Sequence, residues 1–168
     1  MTAKSIPKAA EAEIRLLRPH HGEAAVLQDF AANANVYKRF GLEGHNGLDI
    51  GLVMQPVLAA HDGIVEFAGD GGEWPMLGGA AGIGVLLLGE GFRTEYAHLM
   101  KAYVRTGDSV TAGDVIGISG KSGATTGYHL HFGLILSPYT HGNGYAGRTD
   151  PTPYLHTPIP ATVGGAHE

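Results

Sequence analysis

Cysteine is missing from this chain of 168 residues, and clustered positive charge and long apolar runs are missing too. Without cysteine, the chain has neither disulfide bonds nor thiolate metal ligands. Lysine and arginine number 11 against 16 acidic residues and are scattered, so the basic surface that nucleic-acid binding needs is lacking. The apolar stretch at 83–88 is far shorter than the roughly 20 residues of a membrane-spanning helix. No apolar run of signal-peptide length follows the charged N-terminus, so we expect neither a membrane span nor a signal peptide here.

Glycine is abundant, at 27 residues without a repeat, which favours tight turns and short strands. From residue 23 onward, short β-rich runs alternate with Gly, Asp and Asn turns, a texture typical of a mainly β domain. We predict an N-terminal arm or short helix at 1–22, with the helix at about 9–17, a β domain at 23–157 and a flexible tail at 158–168. Strands are predicted at 48–52, 56–60, 63–68, 84–88, 93–98, 114–119 and 129–136.

The candidate metal-ligating and catalytic residues of this sequence are histidines and an aspartate in three short blocks. Two neutral imidazoles and a carboxylate suit zinc as three ligands, with a fourth position open for water. Histidines outside that set can serve as acid, base or hydrogen-bond donor. Each spacing alone is weak evidence, because a chain with 10 histidines contains such spacings by chance. The blocks are Gly44-His45-Asn46-Gly47-Leu48-Asp49, Tyr96-Ala97-His98-Leu99 and Gly127-Tyr128-His129-Leu130-His131-Phe132.

Strand periodicity predicts which side chains of the last block share a face of the sheet. Side chains repeat every two residues along a strand, so His129 and His131 should share one face while Leu130 and Phe132 enter the core. The spacing does not tell which of the two histidines would bind a metal. Glycines around the first block oppose a helix, and an extended stretch also places residues 45 and 49 on one side.

The three blocks, in this order, resemble the signatures of the M23 family of lysostaphin- and LytM-type zinc metallopeptidases. The resemblance runs from about residue 36 to 155. It implies a folded-over antiparallel β sheet, built on a duplicated hybrid motif, with a groove on one face. It also implies one zinc ion held by His45, Asp49 and His131, with His98 and His129 as catalytic histidines. Which of the two is the general base stays open.

The resemblance further implies an endopeptidase that cuts stem peptides or cross-bridges of bacterial peptidoglycan. Such an enzyme acts at the cell wall, whether periplasmic, extracellular or phage-delivered, and we expect a monomer. The bond could be Gly-Gly or D-alanyl to a diamino acid. Tyr37 and Trp74 are candidates for contact with substrate, although both also suit a packing role. The loop at 70–82 could shape a cleft or be an inert excursion.

Two alternatives compete with the peptidase. A catalytically inactive relative that binds cell wall or regulates another hydrolase usually lacks ligands, whereas all five positions are filled here. A lipoyl- or biotinyl-type carrier shares the Gly-Asp texture of 107–116 but needs an acceptor lysine in its own motif, which Lys121 does not match. Among the other histidines, we expect His61 at the surface of a tight turn, and His20 and His21 as chance residues or an inhibitory fourth ligand.

Overall fold

The computed structural model describes residues 13–156, and most regular structure in that range is β. A short helix, α1 (Ala34–Tyr37), continues into a 3-10 turn at Lys38–Phe40, and further 3-10 turns lie at Gly71–Glu73, Gly79–Ala81 and Thr152–Tyr154. Within 13–156, no helix is long and apolar enough to span a membrane. The strands are β1 (Leu16–Leu17), β2 (Val26–Gln28), β3 (Leu48–Ile50), β4 (Pro56–Leu58), β5 (Gly63–Asp70), β6 (Ile83–Gly89), β7 (Phe92–Ala102), β8 (Ser109–Val110), β9 (Val115–Ser119), β10 (Leu130–Leu136) and β11 (Leu155–His156).

The main sheet is antiparallel and has the strand order β2-β3-β10-β7-β6-β5-β8. Strand β9 pairs with β4 and also with the end of β7. Because the first part of β7 pairs with β6 and β10 and its last part with β9, this strand passes from the main sheet into the β4–β9 pair. The predicted mainly β, antiparallel fold is confirmed.

Alternation along the central strands fills the core. Leu48 and Ile50 of β3, Tyr96 of β7, and Leu130 and Phe132 of β10 are each 3% exposed or less and belong to one hydrophobic cluster. Burying an apolar side chain of this size stabilises a fold by about 1.5–3 kcal/mol. The prediction that Leu130 and Phe132 anchor the last histidine block is therefore confirmed. Residues between these positions face the other side of the sheet.

All seven predicted strands are present, and the largest difference in their ends is at β7, which runs to residue 102. The N-terminal helix is wrong in its described part, since Leu16 and Leu17 form β1 and pair with β11. Leu16 is completely buried in the main core, and the Leu17 N–H donates to the Ala60 carbonyl at 2.8 Å. Core contacts and strand pairing thus outweigh helix propensity here. Residues 9–12 of that helix and the tail at 158–168 lie outside the described residues.

His61 is buried, at 6% exposure, and the prediction of a surface position is wrong. Its Nδ1–H donates to the Asp62 carbonyl at 2.8 Å, and Nε2 is hydrogen-bonded to the Thr94 hydroxyl at 2.8 Å. The ring also packs edge-on against Phe92, with centroids 4.5 Å apart. Strands β4 and β5 pair with other partners, so this segment crosses between layers instead of closing a hairpin. Burial lowers the pKa of His61 below 6.5.

We expect the stabilising effect of His61 to fall in acid. Below pH 6.5 the unfolded chain protonates His61, while the folded protein resists protonation down to its own lower pKa. Stability from this residue is therefore lost as pH falls, by at most about 1.4 kcal/mol per pH unit. The measurement is urea unfolding of wild type and His61→Ala between pH 7.5 and pH 5, with chelator present throughout. The difference in unfolding free energy between them should shrink toward pH 5, and a constant difference would contradict the assignment.

Candidate metal centre

The candidate centre lies on the face of the sheet opposite the core. Asp49 of β3 pairs with His131 of β10, which in turn pairs with Ala97 of β7. These three residues therefore form a row across neighbouring strands. His45 joins the row from the loop before β3. Its backbone N–H donates to the Ala32 carbonyl at 2.9 Å, which fixes that loop against the residues after β2.

Three potential ligand atoms form a nearly equilateral triangle. His45 Nε2, Asp49 Oδ1 and His131 Nδ1 are each 3.1 Å from the other two. Two ligands of a tetrahedral zinc ion, each at about 2.0–2.1 Å from the metal, lie about 3.3 Å apart. The side chains therefore fit zinc with little adjustment. Within 13–156, no other group of three His, Cys or acidic residues has such close ligand atoms.

Hydrogen bonds behind the two ligand histidines fix their lone pairs. The Nδ1–H of His45 donates to the Asp29 carbonyl at 3.1 Å, which leaves Nε2 with its lone pair toward the triangle. The Nε2–H of His131 donates to Glu95 Oε1 at 3.3 Å, which leaves Nδ1 in the same role. Two nitrogen lone pairs and a carboxylate oxygen thus converge. A bound metal cation would satisfy all three atoms at once, whereas a second proton on either ring would be donated to Asp49 instead.

The pKa shifts agree with a site built for positive charge. Burial raises the pKa of Asp49, but hydrogen bonds from His131 and His45 outweigh it and hold that pKa well below its ordinary value. Burial lowers the pKa of His131, but hydrogen bonds to Asp49 and Glu95 outweigh it and raise the pKa to about 9. The Asp49 carboxylate is therefore ionised at neutral pH and available to a metal.

Gly47 packs directly against the His131 ring. A Cβ at this position would lie 2.6 Å from His131 Cε1 and 2.7 Å from the Phe132 carbonyl oxygen. We expect Gly47→Ala to displace the ring and lower zinc affinity about tenfold or more, because overpacking costs about 1–3 kcal/mol. Chelator competition measures the affinity. Gly142→Ala is the control, since a Cβ there meets nothing within 4 Å, and equal zinc affinity in both variants would contradict this account of the packing.

His98 reaches the same face through a β-bulge. Along β6 the partners Ile83 and Val85 are two residues apart, whereas their partners Leu99 and Tyr96 on β7 are three apart. The extra residue lies in the Ala97–His98 stretch, and His98 has a φ of 61°, which is uncommon outside glycine. The bulge lets both Ala97 and His98 line the groove, although they are adjacent in the strand. Strained backbone of this kind is frequent at functional sites.

His98 and His129 are held alike, each by a backbone carbonyl. The Nδ1–H of His98 donates to the Ser122 carbonyl at 2.8 Å, and that of His129 to the Gly127 carbonyl at 3.1 Å. Their rings meet edge-on, with centroids 4.7 Å apart. His129 Nε2 lies 3.5 Å from Asp49 Oδ1, so it reaches the same carboxylate as His131. The expectation that His129 and His131 share one face is confirmed.

The three predicted ligands and the two predicted catalytic histidines all line a groove of about 600 Å³. One wall comes from α1 and the 3-10 turn that follows it, where Val36 and Phe40 are more than half exposed. The other comes from residues 124–126 and from Leu77, Ala80 and Ala81, so the loop at 70–82 does shape the cleft. Burial lowers the pKa of His98 in this groove to about 4, which keeps its imidazole neutral at neutral pH.

The two aromatic candidates have different surroundings. Tyr37 lines the groove, its ring is 5.5 Å from that of His45, and its hydroxyl accepts a hydrogen bond from Gln28 at 3.1 Å. Burial raises the pKa of Tyr37, so the hydroxyl keeps its proton at neutral pH. Trp74 does not line the groove. Its ring stacks on Phe67 with centroids 5.3 Å apart and caps a small hydrophobic cluster, which favours the packing role over contact with substrate.

A buried ion pair lies behind the candidate ligands and was not predicted from the sequence. Glu95 and Arg148 are 3% and 5% exposed and contact each other directly. The available signal was a carboxylate inside an otherwise apolar strand, three residues before His98. His20 lies in a different cavity with Asp29 and Leu155, and the ligand triangle does not include it or His21. The fourth-ligand option for these two histidines therefore finds no support.

A mainly β domain with two imidazoles and a carboxylate at zinc spacing, beside two more histidines in a groove, has the form of a metallopeptidase domain. The model of peptidase family M23 matches residues 43–146, more than half of the chain. The chain belongs to peptidase family M23, and the predicted family is confirmed.

Relatives of known name cover most of the chain. Glycyl-glycine endopeptidase ALE-1 of Staphylococcus capitis is 35% identical over 144 residues, which are 79% of this chain and 38% of that protein. The chain therefore spans well under half the length of this relative. The solved catalytic domain of lysostaphin from Staphylococcus simulans matches with a TM-score of 0.58 at 28% identity, covering 77% of this chain and 88% of that one. A zinc-containing peptidase from Vibrio cholerae matches with a TM-score of 0.64 at 25% identity, covering 82% and 39%.

Proposed function

We propose that this chain is a zinc-dependent endopeptidase that hydrolyses peptide bonds in stem peptides or cross-bridges of bacterial peptidoglycan, acting at the cell wall. The observation that carries the proposal is the convergence of lone pairs from His45, Asp49 and His131 in a groove. Three protein ligands leave a tetrahedral zinc ion one open position, as in catalytic zinc sites and unlike closed structural ones. The substrate class is supported by the glycyl-glycine endopeptidase among its relatives, and zinc by the zinc-containing peptidase.

Zinc in this triangle would polarise the peptide carbonyl and lower the pKa of a water molecule toward 7, which supplies a nucleophile at neutral pH. The remaining work falls to His98 and His129. Each has Nδ1 engaged by a carbonyl and therefore offers Nε2 to the groove. A neutral imidazole so oriented accepts the proton of the attacking water and passes it to the leaving amine. The second ring, when it is an imidazolium with a proton on both nitrogens, donates from Nε2 to the oxygen on which negative charge develops.

Tyr37 is proposed to contact the substrate. Its hydroxyl keeps its proton at neutral pH and accepts from Gln28, so its own O–H is left to donate within the groove. The exposed Val36 and Phe40 add apolar surface to the same wall, beside the guanidinium of Arg39. An extended peptide could therefore lie between this wall and residues 124–126. Tyr37 would then position the scissile carbonyl over the ligand triangle.

The test uses two sets of defined muropeptides, one joined by a glycine cross-bridge and one by a D-alanyl to diamino-acid bond. Mass spectrometry of the products identifies the bond that takes up one water. We expect cleavage in one set, lost with chelator and restored by zinc, and unchanged in His141→Ala, which alters an exposed histidine outside the groove lining. Release of glycan fragments would contradict the proposal. A zinc-loaded protein that binds cell wall but cuts neither set would favour the inactive relative.

A further inference from the structure

A buried ion pair lies directly behind His131. Arg148 donates from Nε to Glu95 Oε1 at 3.1 Å and from Nη2 to Glu95 Oε2 at 2.5 Å. The same Oε1 accepts the Nε2–H of His131 at 3.3 Å. Glutamate and arginine are rarely buried so completely, because removing both charges from water costs more than a simple pairing returns unless further hydrogen bonds contribute. For the Glu95 carboxylate, the hydrogen bond from His131 is such an additional hydrogen bond.

The sheet makes room for this carboxylate at one position. Glu95 of β7 pairs with Gly133 of β10, two residues after His131. A Cβ at residue 133 would lie 2.5 Å from Glu95 Oε1 and 2.6 Å from its Cγ. Only glycine therefore leaves the Glu95 side chain space to cross β10. Strand register and the missing Cβ together specify where the carboxylate sits relative to the His131 ring.

Arg148 is fixed in turn by segments that surround the groove. Its Nη1 donates to the Ala146 carbonyl at 2.8 Å, and its Nη2 also donates to the carbonyl of Met76, in the loop after β5. The Arg148 carbonyl accepts from the Asn143 side chain at 2.7 Å. The guanidinium thus joins the loop after β5 and the segment after β10 to the carboxylate behind the metal centre. Its planar fork suits such bidentate contact.

We propose that Glu95 is a positioning residue for metal binding and that Arg148 holds its carboxylate in place, an inference that rests on the proposed zinc site. The hydrogen bond keeps the proton of His131 on Nε2 and aims the lone pair of Nδ1 at the triangle. Carboxylates behind ligand histidines act in this way in other metal sites, where their loss costs 10- to 100-fold in metal affinity. Arg148 neutralises the charge of the Glu95 carboxylate, so Asp49 remains the anionic ligand of the centre.

The test replaces the whole pair, because removing one partner would leave an uncompensated buried charge. The variant is Glu95→Leu/Arg148→Met. Its matched control is Glu66→Leu/Arg93→Met, which removes a second bidentate Glu–Arg pair on β5 and β7, away from the ligands. We expect the first variant to lose zinc affinity 10- to 100-fold in chelator competition, and the control to keep wild-type affinity. Circular dichroism melts of the metal-free proteins check folding, since apolar replacement of a buried pair is often neutral.

A second measurement decides the matter if the double variant does not fold. Glu95→Gln/Arg148→Met removes both charges and keeps the shape of the side chain at position 95, so histidine-labelled, zinc-loaded protein can be compared with wild type by NMR. We expect the Nε2–H proton of His131 to shift upfield, because a charged acceptor is lost. An unchanged proton signal, or wild-type zinc affinity in a folded Glu95→Leu/Arg148→Met protein, would overturn the role of Glu95. Failure of the wild type to bind zinc would instead overturn the proposed function.

Discussion

Replacing Asp49 with alanine is expected to empty the metal centre and to lower peptide hydrolysis at least about 1,000-fold. The variant keeps two imidazoles but loses the only anionic ligand of the triangle, whose Oδ1 lies 3.1 Å from both ligand nitrogens. A metal ion contributes several kcal/mol to stabilising charge in the transition state, and each 1.36 kcal/mol corresponds to tenfold in rate. The fold itself should survive, because Asp49 faces the groove while Leu48 and Ile50 fill the core.

Metal analysis and thermal melting test this expectation together. Zinc at 100 times its dissociation constant stabilises a binding protein by about 2.7 kcal/mol, so wild type should melt higher with zinc than with chelator. Asp49→Ala should show no such difference. Glu90→Ala, which alters an exposed carboxylate in the turn between β6 and β7, is the control and should behave as wild type. Full zinc occupancy in Asp49→Ala would remove this residue from the ligand set.

His98→Ala and His129→Ala are each expected to lower hydrolysis about 10²- to 10⁴-fold while zinc stays bound. Neither imidazole belongs to the ligand triangle, and each presents Nε2 to the groove because a carbonyl holds its Nδ1–H. General acid–base catalysis contributes this range of rate. The double variant should lose little more than the worse single variant, since residues that act as one unit are far from additive.

The decisive comparison is zinc content against rate in the same preparations. Retained zinc with lost hydrolysis assigns His98 and His129 to proton transfer. Loss of zinc in His129→Ala would make it a ligand, a real alternative given that its Nε2 lies 3.5 Å from Asp49 Oδ1. Wild-type hydrolysis in either variant would refute the proposed mechanism. His141→Ala serves as the control for histidine content.

Period-two alternation along a strand is enough to predict part of the centre from the sequence. It puts His129 and His131 on one face and Leu130 and Phe132 in the core, and the structure has them there. The glycines of the first block favour an extended chain, and Gly47 has a specific reason to be glycine, since a side chain there would strike the His131 ring. The spacing does not distinguish His129 from His131 as the metal ligand. Only the family resemblance assigns that role to His131.

Other features depend on contacts that no local pattern encodes. The bulge at His98 adds one residue to β7, so simple alternation puts Ala97 and His98 on opposite faces although both line the groove. Glu95 and Arg148 are 53 residues apart and meet only through the sheet. The sequence around His61 is typical of an exposed turn, but Phe92 and Thr94 of β7 bury the residue.

The most direct test of the account is diffraction from crystals of zinc-loaded protein, with data collected on both sides of the zinc absorption edge. One anomalous peak is expected at bonding distance, about 2.0–2.2 Å, from His45 Nε2, Asp49 Oδ1 and His131 Nδ1. His98 and His129 should stand beside that peak without bonding to it. A peak elsewhere, or one bonded to His98 or His129 in place of a member of the triangle, would contradict the account.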